Sequence, residues 1–185
     1  MSLRRLKHHE KKLLKKVNFL QWKSDDSLRV TKILRKYYIQ KREDYTKYNR
    51  LCGLVKKIAH KLSKLDPRDP YRVKATDQLM NKLYAMGLIS TKKSLQVVDQ
   101  ITTSSFCRRR LPVIMVRLKM SENLKEAVTF IEQGHVRVGT STVTDPAFLV
   151  TRSLEDYVTW VDTSKIRRTI MKYNDKLDDY MLLGN

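Results

Sequence analysis

Residues 108–138, RRRLPVIMVRLKMSENLKEAVTFIEQGHVRV, decide how this chain is read. Three arginines open the stretch, and Leu111, Ile114, Met115 and Leu118 follow at helical spacing, which makes one apolar stripe. Ser121 is placed to cap a second helix whose stripe is Leu124, Ala127, Val128 and Ile131, and Gly134 is placed to stop it in the left-handed conformation. His135-Val136-Arg137-Val138 then alternates polar and apolar, the pattern of a half-buried strand. Folding this unit buries one side of each element. Arg108, Arg109, Arg110, Arg117, Lys119, Lys125, His135 and Arg137 are then expected on the other side, where phosphates can reach them.

Working outward, residues 1–106 read as a basic helical region. Leu6, Leu13, Leu14, Val17 and Leu20 share a face between Leu6 and Trp22, beside Lys7, Lys11, Lys12, Lys15 and Lys16. Further helices are expected over Leu28–Tyr38, Glu43–Leu65 and Pro70–Met86. The third of these four carries Leu51, Leu54, Val55, Ile58, Leu62 and Leu65 on one stripe. Residues 88–104 look like a polar connector and the domain boundary. After Gly139, strands are expected near Val143, over Phe148–Val150 and over Tyr157–Val161, then a helix over Ser164–Tyr173 within a mildly acidic tail, 166–185. The fold class is α+β: a mostly helical N-terminal half, then two helices packed on a small antiparallel sheet over 107–165.

Charge narrows the function. Thirty-nine Lys and Arg stand against nineteen Asp and Glu in 185 residues, a formal net charge of +20. Residues 1–64 hold 20 basic and 5 acidic residues, whereas residues 138–185 hold 6 and 7. A charge this large and this uneven points to a polyanion along the front three-quarters of the chain, nucleic acid before anionic membrane. For the lysine-rich N-terminus three readings stay open: nucleic-acid arm, nuclear import signal and membrane-surface helix.

Catalytic chemistry has no foothold in the sequence. There is no phosphate-binding glycine loop, no H-E-x-x-H and no G-x-S-x-G. His8 and His9 are adjacent, so on a helix they diverge by about 100° and share no metal. Cys52 and Cys107 stand apart without metal-ligand spacing and read as reduced structural thiols. No enzyme activity, cofactor, metal or small-molecule substrate is expected. No apolar run reaches the length of a membrane span, and no apolar core follows the basic N-terminus as a secretory signal would require.

The pattern Arg109-Arg110-Leu111, Arg117-Leu118, Ala127, Ile131, Gly134-His135-Val136-Arg137-Val138 resembles the S4-type RNA-binding domain. Asp145-Pro146, Val150 and Asp156-Tyr157-Val158 extend the likeness, and Val138-Gly139 departs from it where the domain usually has asparagine and glycine. Leu6-Lys7-His8-His9-Glu10, Phe19-Leu20-Gln21-Trp22, Arg42-Glu43-Asp44-Tyr45, Lys82–Gly87 and Cys107–Pro112 further resemble the Imp proteins of the U3 small nucleolar ribonucleoprotein. That resemblance implies a nucleolar, hence nuclear, assembly factor of the small-subunit processome. Its implied partners are U3 snoRNA, pre-ribosomal RNA, an acidic scaffold phosphoprotein and a second Imp protein. A small-subunit ribosomal protein of the S4 family is the alternative that fold and charge leave open.

Overall fold

The structure is a computed structural model and describes residues 4–17 and 28–176. Two compact units divide the chain between Gln40 and Lys41. In the first, α1 spans His8–Lys16 and α2 spans Leu28–Lys36. Glu10 accepts the Lys7 backbone N–H at 2.8 Å, which closes the front of α1. The Leu6 end of the expected first helix does not belong to α1, and its end from Asn18 to Trp22 lies outside the described residues.

The second unit opens with α3, Arg42–Ser63, and α4, Pro70–Ala85. Glu43 and Asp44 in the first turn of α3, with His60 and Lys61 in its last, complement the helix dipole. Asp69 caps α4 by accepting the Tyr71 N–H at 2.9 Å, and Pro70 needs no partner for a missing donor. The interior side of α3 is Asp44, Tyr48, Cys52, Ala59 and Leu62, so the buried line is rotated from the expected leucine stripe. Only Leu62 belongs to both.

Residues 88–104 are not a break in packing. Ile89, Val98 and Ile101 are buried there around the short α5, Gln96–Asp99. Helix α6, Thr103–Cys107, was not expected; it sets Phe106 parallel to Tyr48 at 6.2 Å between ring centroids. Cys52 Sγ donates to the Ile101 carbonyl at 3.1 Å, so both thiols are buried and unpaired.

Helices α7, Leu111–Arg117, and α8, Leu124–Glu132, lean together over a three-stranded antiparallel sheet of order β2-β1-β3. Strand β1 is Val136–Val138, β2 is Ser141–Thr142 and β3 is Val158–Trp160. Val136 faces Trp160 and Val138 faces Val158, which fixes the register. The core joins Leu111, Ile114, Met115, Ala127, Ile131, Val136, Val138, Val150 and Val158. Asn123 rather than Ser121 stands at the start of α8, and Leu118 stays outside the core. Phe148–Val150 makes a single bridge, Leu149 to Arg110, instead of a strand, and Tyr157 ends a 3-10 turn, Glu155–Tyr157, with its ring exposed. The last helix, α9, covers Lys165–Tyr173. The α+β class holds throughout.

Helix endings repeat one device. At the ends of α4 and α8, Gly87 and Gly134 take φ of +73° and +74°. Each sends its N–H back two residues before the cap, and the next residue bonds one residue earlier still (Leu88 to Leu83, His135 to Phe130, both 3.0 Å). The left-handed stop expected at Gly134 is present. Lys119 closes α7 in the same way with φ +59°, where a side chain is disfavoured.

Candidate nucleic-acid interface

The arginine triplet does not form one surface. Arg108 ends α6, where a cation suits the dipole, and its exposed guanidinium donates to Ser105 Oγ at 3.2 Å. Arg109 and Arg110 are only 6% and 3% exposed. The cause is backbone pairing: the Val150 N–H donates to the Arg109 carbonyl at 2.8 Å, and the Leu111 N–H donates to the Phe148 carbonyl at 2.9 Å. Those bonds turn both side chains inward.

Arg109 is fully used there. Its Nε and Nη2 donate to the Val150 carbonyl at 2.9 and 2.8 Å, and Nη1 pairs with Glu155 at 3.0 Å. Burial, and after it the charge of Arg152, pulls its pKa below the ordinary arginine value. Gly87 explains the close approach: a Cβ on that residue would lie 2.9 Å from Arg109 Cζ. Arg152 completes the clamp by donating to the Ile89 carbonyl at 2.7 Å and covering the Tyr84 ring at 4.1 Å. Arg110 lies beside Asp44 with 3.9 Å between Nη2 and Oδ2, while its Nε and Nη1 have no hydrogen-bond partner among the described residues. Of the three, only Arg110 stands at the start of α7, and it is buried, so the triplet does not lie together on the side expected to meet phosphates.

Two further expected contacts are committed to ion pairs. Arg117 bonds Glu155, the same carboxylate that holds Arg109. Arg137 donates to Thr159 Oγ1 at 3.0 Å and to Asp162 at 2.6 Å, and Asp162 also pairs with Arg167. His135 is half-buried, its Nδ1 within 3.0 Å of Ser164 Oγ, so one ring nitrogen is held by the cap of α9. Sequence reading missed this partner because residues 29 positions apart share no local signal.

Lys119 and Lys125 remain exposed and, among the described residues, pair with no carboxylate. Lys7, Lys11, Lys12, Lys15 and Lys16 of the first unit are exposed in the same way. Of the contacts expected from the sequence, Arg108, Lys119 and Lys125 on the second unit and the lysine run on the first are thus the ones left open among the described residues. Neighbouring Cys107 is chemically quiet: burial pushes its thiol up to about 11. Among the described residues no group of His, Cys, Asp or Glu is placed to hold a metal ion, and no helix is long and apolar enough to cross a membrane.

Family profiles divide the chain at the arginines. The ribosomal protein S4/S9 N-terminal domain matches residues 5–108, and the S4 domain matches residues 109–156. Among relatives, U3 small nucleolar ribonucleoprotein protein IMP3 of Saccharomyces cerevisiae is 57% identical over 179 residues, 96% of this chain and 98% of that protein. The Homo sapiens protein of the same name is 54% identical over 181 residues, 97% of this chain and 98% of its own length. Small ribosomal subunit protein uS4 of Picrophilus torridus is 27% identical over 144 residues, 77% and 79% of the two chains.

Proposed function

The chain belongs to the IMP3 family of U3 small nucleolar ribonucleoprotein proteins, and from that premise we propose that it is a non-catalytic RNA-binding factor of small-subunit ribosome assembly. It holds U3 snoRNA, promotes the pairing of that RNA with pre-ribosomal RNA in 18S rRNA processing, and works in the nucleolus beside an acidic scaffold phosphoprotein and a second Imp protein. The observation that carries this reading is the set of exposed cations without carboxylate partners among the described residues: Arg108 at the junction of the two family profiles, Lys119 and Lys125 in the S4 domain, and five lysines of the first unit. Cations without carboxylate partners release counterions from RNA when they bind it. They also screen repulsion between two approaching strands, which lowers the barrier to a duplex without any covalent step. His135 and Arg137, fixed by Ser164 and Asp162, act as oriented contacts at the rim rather than as mobile charges. Arg109, Arg110 and Arg117 position the backbone.

The test is a pairing assay with the full-length chain. A labelled U3 segment and its pre-ribosomal complement should anneal faster with the protein than without, with no ATP present. Binding should weaken linearly with the logarithm of salt concentration. No RNA binding at low ionic strength would end the proposal. Co-sedimentation with mature small subunits, in place of large precursor particles containing U3, would favour a ribosomal-protein role instead.

A further inference from the structure

Helix α3 carries more apolar surface than its fold uses. Beside the buried line through Tyr48, Cys52 and Ala59 runs a second line, Leu51, Leu54 and Ile58, exposed by 43%, 46% and 47%. Their helical spacing places all three on one side, over about 10 Å of axis. Lone exposed leucines are ordinary, but a continuous row on a rigid helix is half of a helix–helix contact. Lys47, Arg50, Lys57 and Lys61 border the row, all exposed and none paired with a carboxylate among the described residues.

The borders select the occupant. RNA would be drawn to the lysines but gains little from an aliphatic row, since bases stack on aromatic rings. A second copy packed by two-fold symmetry would set cationic borders against cationic borders. The chain's own α1 and α2 carry that same sign of charge, with Lys15, Lys16, Arg35 and Lys36 in their last turns. We propose that this face of α3 docks an acidic amphipathic helix of a partner protein. The apolar side of that helix lies on Leu51, Leu54 and Ile58, and its carboxylates lie against Lys47, Arg50, Lys57 and Lys61. The proposal deepens the protein-partner part of the reading above and rests on it for the existence of such a partner.

A synthetic helical peptide tests the surface, with leucines at matching spacing, glutamates on both borders, and a lysine-bordered version as control. Full-length chain should bind the glutamate peptide and ignore the lysine one, and hydrogen exchange should slow across residues 51–58. The double substitution Leu54→Gln with Ile58→Gln should weaken binding by about tenfold or more. If that variant melts early, Lys57→Glu with Lys61→Glu keeps the test alive by reversing the preference between peptides. Equal binding of both peptides would overturn the proposal, as would unchanged binding by the glutamine variant or self-association that disappears in it. RNA affinity of the glutamine variant, expected unchanged, separates this failure from failure of the RNA reading.

Discussion

Helices α1 and α8 are both nine residues long and both carry an apolar stripe, yet α1 contains no buried residue while α8 buries Ala127, Val128 and Ile131. Their cations differ in parallel. The lysines of α1 stand in water, whereas beside α7 and α8 the guanidinium groups of Arg109 and Arg110 have become interior groups. Periodicity marks a face that wants covering, and only the neighbouring elements decide whether it is covered. A charge count works the same way, because it does not distinguish a cation offered to solvent from one consumed by a carbonyl and a carboxylate. The lysines of the first region stay in solvent, and the second region spends much of its charge on its architecture.

The sharpest break of this contrast is Arg109→Ala against alanine at all five N-terminal lysines. Loss of Arg109 strands the Val150 carbonyl and leaves a void, and should cost about 3 kcal/mol in urea unfolding. The five-lysine variant should melt normally while its RNA salt slope flattens by up to about 4. If Arg109→Ala keeps its stability and instead loses RNA, the division of labour drawn here is wrong.

Next in size come two glycines with nearly the same backbone angle. Gly134 has open space, its nearest foreign atoms 3.9 Å or more from a built Cβ, so Gly134→Ala should cost about 1 kcal/mol of conformational strain alone. Gly87→Ala carries that strain and also collides with Arg109, so about 2 kcal/mol or more is expected. Equal midpoints in thermal melts would show the Arg109 side chain to be free to move aside.

Alkaline pH probes the same interior. The Cys107 thiol is pushed up to about 11 and the Tyr48 phenol to about 12, both first by burial. Their unfolded counterparts ionise earlier, so their contribution is complete below about pH 9 and drains away as pH rises toward 11 and 12. The urea midpoint should therefore fall across that window, and less steeply in Cys107→Ala. Parallel curves for the two proteins would mean that the thiol is not desolvated.

The smallest effect separates charge from conformation at one residue. Lys119→Gly should leave stability unchanged or raise it by up to about 1 kcal/mol, since φ +59° then costs nothing, yet flatten the RNA salt slope by about 0.7–0.9. A loss of stability with an unaltered slope would reverse the assignment.

The module from Leu111 to Val138 was legible because its signals are local: spacing of three and four, a glycine stop, then alternation. Helices α4 and α8 follow the same logic. The fates of Arg109 and Arg110 were not legible, since they depend on pairing with Phe148–Val150, about forty residues away. Likewise Leu51, Leu54 and Ile58 scored as core because the sequence tells which side of α3 is greasy, not which side meets a neighbour. The capping switch from Ser121 to Asn123 reflects two good cap residues in one turn, with the path of the chain choosing between them.

The clamp at Gly87 has one more implication. The boundary between the two family profiles falls between residues 108 and 109, and Arg109 is wedged between the end of α4 and the Val150 carbonyl. The two stretches therefore meet at their least separable point. Exchanging either stretch alone for a foreign counterpart would part Gly87 from the Arg109 side chain that its missing Cβ admits, so a chimera cut at this boundary is expected to melt early.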